Sequence, residues 1–111
     1  MATRSRSDLL PGTLDMLVLQ TLSVTTLHGY AIAQHIARVS GDVLTVEQGS
    51  LYPALERLQQ KGWVTSKWGQ TSTGRRARFY TITAAGRRQL GQEIDGFERT
   101  LEAILRVMGR A

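Results

Sequence analysis

Between Gly49 and Thr83 the hydrophobic period of the chain switches from helical to extended, which sharply limits the folds open to it. Leu51, Leu55 and Leu58 recur at steps of four and three, the spacing of a buried helical stripe. Gly62 is a natural stop for that helix. Trp63 to Trp68 and Ala77 to Thr83 are rich in aromatic and β-branched residues. The Gly69, Thr71, Ser72, Thr73 and Gly74 between them make a flexible turn, so the two runs read as a hairpin.

The remaining periodicity is helical. Leu14, Leu17, Val18 and Leu22, with Met16 and Leu19 beside them, predict a helix from about Gly12 to Val24, with Pro11 suited to its first turn. So many apolar positions imply burial on more than one side. Thr25 to Gly29 reads as a connection to a second helix from about Tyr30 to Val39, ended by Ser40-Gly41-Asp42. The third helix has two possible starts: Thr45 with Gln48 fits a capping box, and Ser50 is the alternative cap. Pro53 favours the Ser50 start, which would place the proline in the first turn.

A fourth helix, from near Thr83 to about Met108, carries Leu90, Ile94, Phe97, Leu101, Ile104 and Met108 at alternating steps of four and three. That is a heptad seam, and it predicts a homodimer interface. The competing reading folds this helix back on the first helix of its own chain. The 111 residues suffice for one domain with a modest core. The fold class is mainly α with a β-hairpin wing. Expected boundaries are a flexible arm over residues 1–8, a winged helix-turn-helix over 9–83, and a dimerisation helix over 84–111.

Charge says what such a fold would meet. The formal net charge is +5, and from Arg57 to Arg88 every charged residue is positive, while Glu93, Asp95, Glu98 and Glu102 gather near the C-terminus. The asymmetry points to a localised anion-binding face. Arg75, Arg76 and Arg78 at the hairpin turn repel one another and do nothing for the fold, yet opposite phosphates they would form strong contacts. Lys67 on the facing strand and Lys61 at the helix end extend the patch. Double-stranded DNA is the expected partner. With Leu51, Leu55 and Leu58 buried, Gln48, Ser50, Pro53, Ala54 and Arg57 are expected to face outward. Gln48 and Ser50 lie near the helix N-terminus, where recognition helices touch base edges. Tyr52 either donates its hydroxyl to a phosphate or packs its ring into the core.

Other chemistry finds little support. There is no cysteine, which excludes disulfides and thiolate sites. His28 and His35 stand seven apart without a companion acid, so no metal or other cofactor is expected; His28 reads as a helix-start residue and His35 as a surface or satisfied polar one. No paired carboxylates or phosphate loop suggest an enzyme. No segment has signal-peptide or membrane-span character, so a cytoplasmic location is expected.

These residues, taken in order, resemble the PadR family of bacterial transcriptional regulators, in particular its short subfamily. The resemblance runs from Leu9 to Met108: Gly12-Thr13-Leu14, His28-Gly29-Tyr30, Leu51-Tyr52-Pro53-Ala54-Leu55 with Arg57-Leu58, Gly62-Trp63-Val64, and Arg75-Arg76-Ala77-Arg78-Phe79-Tyr80 with Ile82-Thr83. It implies a dimeric winged-helix protein, usually a repressor, on an inverted-repeat operator, with the C-terminal helix dimerising against the first helix. It also implies, as in some members, a flat central pore for aromatic or lipophilic effectors, here lined by Met16, Gln20 and Phe97. Phe97 stands where those members often carry tryptophan. Gln59, Phe79 and Ile82 replace a common acid, tyrosine and leucine. The alternative class is a winged-helix protein–protein adaptor, although such faces are usually depleted of charge at their centre.

Overall fold

The computed structural model describes residues 11–110; the expected arm over residues 1–8 lies outside them. The elements are α1 (Pro11–Val24), β1 (Leu27–His28), α2 (Gly29–Val39), α3 (Gln48–Gln60), β2 (Val64–Gln70), β3 (Arg76–Ile82) and α4 (Ala84–Val107). Helix α1 is central, touching α2, α3, α4 and β3. Its Leu14, Val18, Leu19 and Leu22 are buried, and Met16 and Leu17 pack on the same core from the flanks. A helix apolar on several sides is thus accounted for by its neighbours within one chain.

The hairpin forms as expected, but the sheet has a third strand. β3 is central, with β2 on one side and the two-residue β1 on the other, all antiparallel. Leu27 pairs with Tyr80 and His28 with Phe79. Two residues are too few to show a period of two, which is why this segment reads as a connection in the sequence.

Helix α3 starts earlier than the Pro53 argument predicts. Its N-cap is Glu47, with no side-chain cap, and neither Thr45 nor Ser50 plays that role. Ser50 and Leu51 donate their N–H groups to the Glu47 carbonyl at 3.0 and 2.9 Å. Pro53 therefore sits inside the helix. The bond it forgoes would have gone to the carbonyl of Gly49, an exposed residue that water can serve, which offsets the lost bond. Ala54 is also corrected: three residues from Leu51 and four from Leu58, it is fully buried on their face rather than outward-facing.

Helix α4 leaves the sheet at a tightly bonded corner. Thr83 caps it by accepting from the Gly86 N–H at 3.0 Å, and donates its hydroxyl to the Gly62 carbonyl at 2.8 Å. Gly86 is needed there, because a Cβ would run into the Trp63 carbonyl oxygen and lie 2.8 Å from Ile82 Cγ1. Farther on, Arg87 donates to the Ser23 carbonyl in the last turn of α1 at 3.2 Å.

The heptad seam of α4 divides in two. Leu90 is buried in the chain's own core and Ile94 packs beside it, as the fold-back reading expects, so Leu90 is not free for a dimer interface. Phe97, Leu101, Ile104 and Met108 are 44%, 41%, 51% and 62% exposed. At 24 residues α4 is about 36 Å long, more than α1 can cover. The overhang makes the chain elongated: its radius of gyration is 15.2 Å, against about 13 Å for a compact domain of this length.

Candidate nucleic-acid interface

The register of the hairpin sorts its side chains onto two faces. Val64 pairs with Ile82, Ser66 with Tyr80, Trp68 with Arg78 and Gln70 with Arg76. Alternate residues share a face, so the buried Val64, Tyr80 and Ile82 continue toward the tip as Trp68, Arg76 and Arg78. Lys67 pairs with Phe79 on the opposite face, so it does not extend the arginine patch. Phe79 is in turn covered by His28, whose ring meets it edge-on with centroids 5.3 Å apart.

The turn is organised rather than loose. Thr71 donates its N–H to the Arg75 carbonyl at 2.8 Å, and its Oγ1 accepts from the Arg75 N–H at 3.1 Å. The arginines also contribute locally: the guanidinium carbons of Arg76 and Arg78 lie 4.4 and 5.2 Å from the Trp68 ring centroid. Their repulsion is thus offset by cation–π attraction, which corrects the expectation that they do nothing for the fold. Among the described residues none of the three arginines is in an ion pair.

Between this face and the starts of α2 and α3 runs a groove of about 870 Å³. Gln48 and Tyr52 line it from α3, Tyr30 and Gln34 from α2, and Trp68, Arg75, Arg76 and Arg78 from the wing. Tyr52 resolves neither as purely core nor as free: it is 43% exposed, with its ring laid on Gly29. A Cβ at Gly29 would fall 2.6 Å from the Tyr52 hydroxyl, so glycine at that position is what lets α3 approach the start of α2. That start is capped by His28, whose Nδ1 accepts from the Ala31 N–H at 3.3 Å. Tyr80 closes the groove floor; burial raises its phenol pKa above the ordinary 10.0, with the Arg78 charge opposing.

Other expected site residues lie elsewhere. Ser50 and Pro53 are exposed on α3. Arg57 is turned to α1, where its Nη2 donates to Asp15 Oδ1 at 2.8 Å. His35 meets Arg38 on the surface of α2. Met16 is packed against the core, while Gln20 and Phe97 are exposed. Conversely, Tyr30, Gln34 and Trp68 line the groove without belonging to any basic or capping motif. Trp68 is the one a sequence could reveal, since a fixed hairpin register puts it opposite Arg78.

A short helix and a cationic hairpin facing one groove, supported by a three-helix core, define a winged helix-turn-helix. The model of the transcriptional regulator PadR-like family matches residues 18–92, and the chain belongs to that family. A transcriptional regulator from Clostridium thermocellum superposes with a TM-score of 0.81 at 27% identity, over 90% of this chain and 97% of that one. A PadR family regulator from Eggerthella lenta gives a TM-score of 0.75 at 27% identity, over 87% and 82%. A relative from Lysinibacillus sphaericus, described only as an uncharacterized protein, is 27% identical over 99 residues, covering 89% of this chain and 91% of its own. PadR family regulators bind DNA and are generally dimeric. No helix among the described residues is long and apolar enough to cross a membrane.

Proposed function

We propose that this chain is a cytoplasmic repressor that binds an inverted-repeat operator as a homodimer. The observation that carries this reading is the shared groove: Gln48 and Tyr52 from the N-terminal part of α3 face Arg75, Arg76 and Arg78 across it. Helix α3 would enter the major groove, and the wing would lie along the phosphates. The exposed Phe97, Leu101, Ile104 and Met108 supply a surface for a second copy. Two such copies would set two α3 helices on the half-sites of a palindrome.

An aromatic or lipophilic effector would enter between the copies, against Phe97 of one and Met16 and Gln20 of the other. Both Gln20 and Phe97 are exposed in the single chain, which supports a pocket completed by a second copy. Titrating planar dyes into wild type and Phe97→Ala tests it; equal binding by the two would remove Phe97 from that pocket.

The DNA reading is tested by sequencing genomic fragments captured by the purified protein, then measuring binding to the enriched duplex and a random one at several salt concentrations. A common palindrome with salt-dependent binding is the expected result. No enriched sequence and no salt dependence would return the adaptor reading.

A further inference from the structure

We propose that Trp68 is a positioning residue of the DNA interface, holding the Arg76 and Arg78 guanidiniums on the groove side of the wing before DNA arrives. If the groove takes duplex DNA, as proposed above, this gives a role to a side chain that the buried core does not use. Trp68 is 53% exposed and lies outside the buried core cluster. A large aromatic ring left in solvent forgoes much of the stabilisation its burial would give, so packing does not explain it.

The hairpin register explains the ring by its neighbours. Arg78 is its direct cross-strand partner, and Arg76 is one pleat closer to the tip on the same face, opposite Gln70. Both guanidiniums reach the ring, at 4.4 and 5.2 Å from its centroid, inside the range of about 6 Å in which a cation is drawn to an indole. Two arginines alternating on one strand have Cα atoms only about 7 Å apart. Without the ring beside them, like charge would drive their long side chains into separate, solvated rotamers. The indole offsets that repulsion and narrows the rotamers before binding, so less freedom is lost when phosphates arrive.

Ring and charge have separable signatures. Removing an arginine removes a phosphate contact and flattens the dependence of log K on log salt. Removing the ring leaves every cation present, so affinity falls while the slope stays. Trp68→Leu keeps an apolar, strand-compatible side chain but no π face, and Trp68→Phe keeps a π face. Binding of each folded variant to an enriched duplex and a random duplex would be measured across salt. In the DNA-free protein, the Arg76 and Arg78 side-chain protons would be followed by NMR, since a nearby ring face moves them upfield.

The expected result is that Trp68→Leu weakens both duplexes about tenfold at unchanged slope, with Trp68→Phe close to wild type. The upfield shifts should persist in Trp68→Phe and vanish in Trp68→Leu. Wild-type affinity in Trp68→Leu, a slope flattened as by loss of an arginine, or no upfield shift in the wild type would each overturn the positioning role. Upfield shifts in a wild type that binds no duplex would instead remove the DNA reading, and this role with it.

Discussion

Arg57 in α3 donates from Nη2 to Asp15 Oδ1 in α1 across 2.8 Å, the one ion pair found among the described residues. It ties the proposed recognition helix to the central helix and keeps this arginine out of the groove. The two ends differ in environment: the Arg57 side chain is 43% exposed and that of Asp15 18%. Arg57→Ala should therefore cost more than Asp15→Ala, about 2 against about 1 kcal/mol, because it strands the less hydrated charge. Denaturant unfolding at one protein concentration checks this. Equal losses would remove the asymmetry drawn from exposure, and no loss in either variant would show that the pair contributes nothing.

The split seam of α4 predicts two different phenotypes from two leucines about three turns apart on one helix. Leu90 is 7% exposed in its own core, so Leu90→Ala should cost about 2–5 kcal/mol of stability. Leu101 is 41% exposed, so Leu101→Glu should leave the fold intact and abolish the dimer, and operator binding with it. Light scattering alongside denaturation separates the two. A stable wild-type monomer at micromolar concentration would defeat the dimer half of this expectation.

Tyr80 gives a pH dependence with a definite sign. Burial raises the folded phenol above its ordinary 10.0, so the folded state holds the proton that the unfolded chain gives up first. Its contribution to stability is full below pH 10.0 and is lost as pH rises through the raised folded value. Tyr80→Phe should remove part of the alkaline fall in denaturation midpoint. A mutant whose alkaline fall matches wild type would assign that fall to other groups.

The sequence made the helices and the hairpin legible because each carries its own period over several turns or pleats. The missed features depend on what a segment meets at a distance. Leu27 and His28 become a strand only because β3 lies alongside. Pro53 is tolerated inside α3 because the carbonyl it deprives belongs to an exposed Gly49, a matter of solvent rather than propensity. The α4 heptads run unbroken in sequence, yet burial gives way to exposure between Ile94 and Phe97, and no periodicity marks that point. In the groove, the arginines were visible as charge, whereas Trp68 joins them only through cross-strand register.

The wing and α3 should divide affinity from specificity. Arg75 and Arg76 line the groove and are in no ion pair among the described residues, so each can neutralise a phosphate at little internal cost. Each neutralised phosphate contributes roughly −0.9 to the slope of log K against log salt. In a dimer the double variant Arg75→Ala/Arg76→Ala removes up to four such contacts. Binding to operator and random duplex should weaken alike, with the slope flatter by roughly 2–4 units. Gln48, in the first turn of α3, should behave differently: Gln48→Ala should cost about 1–3 kcal/mol per lost base contact on the operator and little on random DNA. Binding curves on both duplexes at several salt concentrations contain the whole comparison. A double arginine variant that kept the wild-type slope would mean that the wing does not lie on phosphates, whatever Gln48 does.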